Sequence, residues 1–260
     1  MFQKTAPRSR LGSTLYTAEL IYHNSVRAVR KSHGNAFMAI VTNVLQTVIF
    51  VLAFYFMFTV MGIRGSAIRG DFLIYIMTGV FLFMTHTKTL SAVVGSEGPA
   101  SPMMQHAPMN TAIAIAAAML SSLYIQTLSL FVIVFVYDVA FNPFVLQEIP
   151  DPIGCLAMLL LSWFSGAAIG LVLLAAKPWA PTAVNIVSTV YQRANMIASG
   201  KMFVANALPG YMLVMFDWNP LFHTIDQSRG HAFLNYNPRN SDWEYAFYLS
   251  IVLIMIGLMG

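Results

Sequence analysis

Ala36 to Met61 is a run of 26 residues without a single charge. Hydrocarbon about 30 Å thick is crossed by roughly 20 apolar residues in a helix, so this run is long enough to span with tilt. Five further stretches follow: Phe72–Val94, Thr111–Tyr137, Pro152–Ala176, Pro181–Ser199 and Trp243–Met259. The second carries His86 and Lys88 near its later end, and the fifth is interrupted by Gln192 and Arg193. Apolar residues make up 58% of the 260 and charged residues only 9%. Soluble domains carry roughly 25% charge, so the sequence reads as an all-α polytopic membrane protein with six transmembrane helices over residues 35–260. The single Cys155 excludes a disulfide framework and any cysteine-based metal cluster.

Residues 1–34 form a separate segment. They carry Lys4, Arg8, Arg10, Arg27, Arg30 and Lys31 against the lone acid Glu19. They lack the continuous apolar run and small-residue cleavage site of a signal peptide. Ser13 is placed to cap a helix reaching about Ser32. Leu15, Ala18, Tyr22, Val26 and Val29 share one face and the basic residues another, with Leu20 and Ile21 outside the stripe. That is the pattern of an amphipathic helix lying in a membrane interface, although a soluble cytosolic helix has the same periodicity.

The distribution of Lys and Arg favours both termini inside. With a cytosolic N-terminus, segments 1–34, 88–110 and 177–180 hold eight basic residues and two acids. Segments 62–71, 138–151 and 200–242 hold five basic residues against seven acids. The last span is the shortest and reaches Gly260 with no basic residue behind it, which leads us to expect a short tail beyond.

Residues 200–242 are too apolar for an ordinary external loop and too broken to span. Met202-Phe203-Val204, Leu213-Val214-Met215-Phe216 and Leu221-Phe222 are divided by Pro209-Gly210 and Asn219-Pro220. Asn219 followed by Pro220 fits an N-cap and first helical position, because proline lacks an amide donor and fixes φ. Helix, break and helix on one side describe a re-entrant helical hairpin between spans 5 and 6, tolerated only where protein or water covers the backbone. An external loop with two surface helices is the competing arrangement. On the opposite side, Ser101-Pro102 is placed to open a short helix ending before Pro108.

This order of parts resembles the permease subunit of ABC-2 type transporters, and within them the capsular polysaccharide and O-antigen exporters. Asn219-Pro220-Leu221 with His223, Asp226 and Arg229 is similar to the Asn-Pro-Leu, acid and Arg run of these permeases, and Ala207-Leu208-Pro209-Gly210 resembles their hairpin turn. The N-terminal helix departs from the family, with Tyr22-His23-Asn24-Ser25-Val26-Arg27 where an Arg-Glu pair and an aromatic-Gly sequence usually stand. The resemblance implies a bacterial inner membrane, a homodimer around a central conduit, and a lipid-linked polysaccharide as cargo. It also implies a separate cytosolic ABC ATPase dimer that binds ATP and Mg, with periplasmic or outer-membrane export proteins as further partners. No nucleic acid is expected. The chain itself has no Walker-A sequence, since Gly200-Lys201 is followed by Met202 and preceded by Asn195 where the first glycine should stand, so no cofactor of its own is expected.

Candidate substrate-path residues are Arg193, Phe203, Tyr211, Phe222, His223, Asp226 and Arg229. Arg193 inside a span costs about 2.5–3.5 kcal/mol at the bilayer centre and should face a cavity or partner. His223, Asp226 and Arg229 at i, i+3, i+6 are placed to pair with one another as readily as to contact a glycan. Aromatic side chains in 200–243 offer stacking faces for sugars, while interfacial anchoring explains Trp218, Tyr236 and Trp243 equally well. Candidate residues for coupling to the ATPase are Glu97, Ser101, Met104, His106, Arg27 and Arg30. His223 and His231 lack metal-ligand spacing. Gly166-x3-Gly170 permits close helix approach, within the chain or across a dimer. Two other functions remain: an ABC-2 permease for a drug or haem-related molecule, and a membrane-embedded glycan transferase or polymerase. The latter needs acids or histidines clustered at one face, whereas these acids are scattered over three loops.

Overall fold

A computed structural model describes residues 10–33, 35–60, 62, 68, 70–96, 110–140 and 149–259, and every regular element among them is helical. The elements are α1 (Arg10–His33), α2 (Ala36–Val60), α3 (Phe72–Val94), α4 (Thr111–Ala140), α5 (Pro152–Ala176), α6 (Pro181–Ala198), α7 (Gly210–Phe216), α8 (Pro220–Ala232) and α9 (Trp243–Met259). A single 3-10 turn, Ala205–Ala207, precedes α7. Among the described residues four helices are long and apolar enough to cross a membrane: Phe37–Val60, Phe72–Val94, Thr111–Ala140 and Pro152–Ala176. Trp243–Met259 is apolar but shorter. The short helix read from Ser101-Pro102 falls outside the described residues.

α3 is the centre of the bundle and packs most extensively on α5. Gly166 and Gly170 are the reason the two approach so closely. A Cβ at Gly166 would run into the His86 carbonyl, and one at Gly170 would lie 3.0 Å from Val93 Cβ. The glycine pair is therefore used inside the chain. Over this contact His86 Nδ1 meets Ser165 Oγ at 3.0 Å and its Nε2 meets the Tyr191 hydroxyl of α6 at 3.0 Å. A second polar seam joins α2 to α4, where Asn43 donates to Ser129 Oγ at 2.8 Å and Gln126 donates to Asn43 Oδ1 at 3.0 Å. Between apolar helices such bonds give register, because hydrocarbon offers these groups no other partner.

Caps mark the two ends of the bundle. Asp71 caps α3 by accepting from the Leu73 N–H at 2.8 Å, and also accepts from the Tyr137 hydroxyl of α4 at 2.6 Å. Asp151 caps α5 by accepting from the Gly154 N–H at 2.9 Å. At the other end, Lys177 after α5 donates to the Val94 carbonyl of α3 at 2.7 Å. The start of α3 and the later end of α4, joined by Asp71 and Tyr137, thus share one end.

α1 starts earlier than its sequence reading. The helix begins at Arg10, so Ser13 lies inside it rather than capping it. Leu15 and Tyr22 of the expected apolar stripe are 71% and 64% exposed. Leu20, Ile21, Asn24, Ser25 and Val29 form the more buried side, and the helix packs against α4 and α2. Asn24 and Ser25 return their polar hydrogens to the carbonyls of Leu20 and Ile21, so they can enter a packed face without stranding a donor.

Gly166→Ala is expected to destabilise the protein by about 1–3 kcal/mol, because the methyl group must push α3 off α5. Gly210→Ala, with open space around it, should be near neutral. Thermal unfolding of the purified variants checks both.

Candidate functional site

α6 stops abruptly, and the residues that absorb its end come from α8. Ser199 closes the last turn by donating its N–H to the Asn195 carbonyl at 3.2 Å. Gly200 then turns the chain at φ +75°, a left-handed conformation that glycine adopts without steric penalty. Four carbonyls around this break accept from two side chains. Asn219 Nδ2 donates to Ala198 O at 3.0 Å. Arg229 Nη1 donates to Gly200 O at 2.9 Å and Phe203 O at 2.6 Å, and its Nη2 donates to Lys201 O at 2.9 Å. The Arg229 guanidinium lies over the Tyr75 ring of α3 at 4.2 Å and is 1% exposed.

Asn219 has two tasks. Its Nδ2 also bonds Asn195 Oδ1 at 2.7 Å, while its Oδ1 accepts from the Leu221 N–H at 3.1 Å, which caps α8 as the Asn-Pro pair predicts. Beside it, Lys201 is buried among phenyl rings. Its Nζ sits 3.3 Å from the Phe83 centroid and 5.2 and 5.3 Å from Phe54 and Phe50. Among the described residues that nitrogen has no hydrogen-bond partner, and the ring faces compensate its charge.

The polar face of α8 holds a second piece of chain. Asp226 accepts from the Tyr236 hydroxyl, and from Ser241 Oγ at 2.7 Å. Gln227 donates to Ser241 O at 2.7 Å. His223 donates from Nε2 to Asp217 O at 2.7 Å and accepts the Asp242 N–H on Nδ1 at 2.9 Å, an arrangement met by one neutral tautomer. Residues 233–242 are thereby laid back along α8. The end of α8 meets the start of α5, where His231 Nδ1 lies 2.8 Å from Asp151 Oδ2. α9 covers the later part of α5, with Phe247 stacked beside Phe164 and Gly257 against Leu171.

His223, Asp226 and Arg229 share a helix face but do not pair with one another; each is bonded to a different part of the chain. Phe222 is buried under Gly200, and Phe203 is half-buried against Phe216 at 5.1 Å. Tyr211 and Arg193 are exposed. Arg27 is exposed on α1, and the side chain of Arg30 lies outside the described residues. Glu97, Ser101, Met104 and His106 also lie outside them. Sequence reading missed Asn195, Lys201 and Ser241. Asn195 and Lys201 flank the glycine turn, and a polar residue four positions before a break is the signal that would have found Asn195.

The backbone bonds of Gly154 and Ile153 and the nearby His231 hold the Asp151 carboxyl below its usual range, with the Gly154 bond the largest cause. A depressed carboxylate contributes stability that is present at neutral pH and is lost as pH falls through the folded value. Protection of the Gly154 amide against hydrogen exchange should therefore drop in acid below the ordinary carboxylate range, and Asp151→Asn should remove that pH dependence. Arg229→Lys is expected to cost about 3 kcal/mol or more, because one ammonium cannot serve three carbonyls in two directions. Fluorescence-detected gel filtration after heating will show the loss.

A scan of protein families matches none to this chain, and a search of curated proteins returns no significant match.

Proposed function

We propose that this chain is the permease subunit of an ATP-driven, ABC-2 type exporter that moves a lipid-linked polysaccharide of capsule or O-antigen type across a bacterial inner membrane. In this reading α2 to α6 and α9 are six spans, both termini are cytosolic, and 200–242 is re-entrant. Two copies face each other around a conduit, and a separate ABC ATPase dimer supplies ATP and Mg. Periplasmic or outer-membrane export proteins take the cargo onward.

The observation that carries the proposal is the broken end of α6. Its carbonyls and those of the turn after it are answered by Asn219 and Arg229 inside the bundle, where Lys201 packs on Gly79 and Arg229 on Tyr75, in the first two turns of α3. α7 and α8 form a helix pair whose junction reaches the same height, since Asn219 bonds Asn195. A helix pair folded back into the bundle is what the re-entrant reading requires, and irregular backbone there needs the protein cover that α8 and α3 supply. The alternation of chain ends supports the N-in, C-in orientation. The Asn-Pro-Leu run that carries the family resemblance coincides with the cap of α8.

Deletion of the gene in its host is expected to abolish the surface glycan and leave lipid-linked glycan in the cytosolic leaflet. Complementation should require an intact Walker-A lysine in a separate ATPase. Export restored by the chain alone, or surface glycan unchanged by the deletion, refutes the assignment; loss of a drug or haem phenotype with intact glycan redirects it to another cargo.

A further inference from the structure

The junction of α7 and α8 and the first turn of α9 present an unusual surface. Trp218, Trp243 and Tyr245 are 57%, 46% and 38% exposed. They stand beside Asp217, whose side chain is 67% exposed, and the exposed Asp242 and Glu244. The aromatic pair is fixed in place. The Trp218 indole N–H donates to Met215 O at 2.6 Å, and the Tyr245 hydroxyl donates to Trp218 O at 3.0 Å. Tyr245 also packs on the His223 ring at 4.8 Å between centroids.

The height of this surface is what makes it informative. Phe247 pairs with Phe164 and Gly257 with Leu171. Extended back along α9, Asp242 falls beside about residue 160 of α5, roughly 12 Å below its first turn at 1.5 Å per residue. Exposed carboxylates that far inside a membrane-spanning bundle must face water rather than lipid. Lys201 and Arg229 are turned inward and buried, while Arg239, three residues before Asp242, is exposed. Around Trp218 and Tyr245 the exposed charges are the carboxylates of Asp217, Asp242 and Glu244.

Rigid rings beside carboxylates suit a ligand with apolar C–H faces and outward hydroxyl or ammonium donors. A sugar ring has both. Acidic sugar units would meet like charge at Asp217, Asp242 and Glu244. Resting on the export reading, we infer that Trp218 and Tyr245, with these three acids, form a contact surface on the conduit for uncharged or amine-bearing sugar units, and that it disfavours acidic glycans.

The test is oxidation of exposed tryptophans by N-bromosuccinimide, resolved by site with mass spectrometry, on the full chain in nanodiscs. Maltoheptaose, chitosan heptamer and heptagalacturonate serve as neutral, amine-bearing and acidic probes. Trp179, 87% exposed and following α5 at the other end of the bundle, is the internal reference. Maltoheptaose and the chitosan heptamer should protect Trp218 saturably while Trp179 reacts unchanged, and heptagalacturonate should not protect. Tyr245→Ala should weaken protection about tenfold, the loss of one stacking ring. Asp217→Asn with Asp242→Asn should admit heptagalacturonate. No protection by the neutral and amine-bearing probes, equal protection of Trp179, or equal protection by the acidic probe overturns the inference. Binding is read without ATP or transport, so these failures are distinct from a failed export assignment, which the deletion strain reports.

Discussion

A helix that stops inside an apolar layer leaves its last carbonyls without partners, and each unmet group there costs several kcal/mol. In the proposed exporter α6 is such a helix, and the contacts around its end meet that demand. Asn219 and Arg229 reach four carbonyls from Ala198 to Phe203. To do so, α8 must stand upright against α3 and α5, which shortens the space left for α9. Among the described residues the buried guanidinium meets no carboxylate and is held by carbonyl dipoles and the Tyr75 ring. Asp226, one turn earlier, is left free to anchor residues 236 and 241. One cation thus separates two anchoring tasks on a single short helix.

Much of this scaffold is legible in the sequence because its causes are local. Charge-free runs fix the long helices to within a turn, and Asp71, Asp151 and Asn219 stand where helix caps belong. What is not legible depends on acceptors that carry no sequence signature. Arg229 binds backbone carbonyls, which any residue supplies, so an i, i+3 spacing to Asp226 suggests an ion pair that tertiary structure does not form. Lys201 is similar: Phe50 and Phe54 are one turn apart on α2, but Phe83 is brought to them only by the packing of α3. On α1 the side packed on α4 and α2 carries small polar side chains bonded to their own helix, which hydrophobic periodicity does not mark.

The bundle also divides its polar groups by purpose. His86 with Ser165 and Tyr191, and Asn43 with Gln126 and Ser129, are bonded across helices and buried. Each such contact contributes about 1 kcal/mol in membranes, so their effect is to select one register among nearly equal apolar packings. The glycine pair on α5 does the complementary work by letting backbone approach backbone where dispersion accumulates. α6 is held along one side, where Val184, Ser188 and Asn195 are buried and Tyr191 bonds His86.

The opposite side of α6 is therefore the part of the fold that is least self-sufficient. Ile186, Val187, Val190 and Ile197 are 58%, 52%, 60% and 65% exposed, and Thr182, Asn185, Thr189 and Arg193 are exposed on the same helix. A lipid-facing helix would be apolar throughout this surface, and a fully aqueous one would not carry four large aliphatics. Divided faces are instead what a helix needs when a second protein surface covers one strip and water wets the other. In the proposed exporter that partner is the second permease, and Arg193 belongs to the wetted side, where its charge escapes the cost of hydrocarbon.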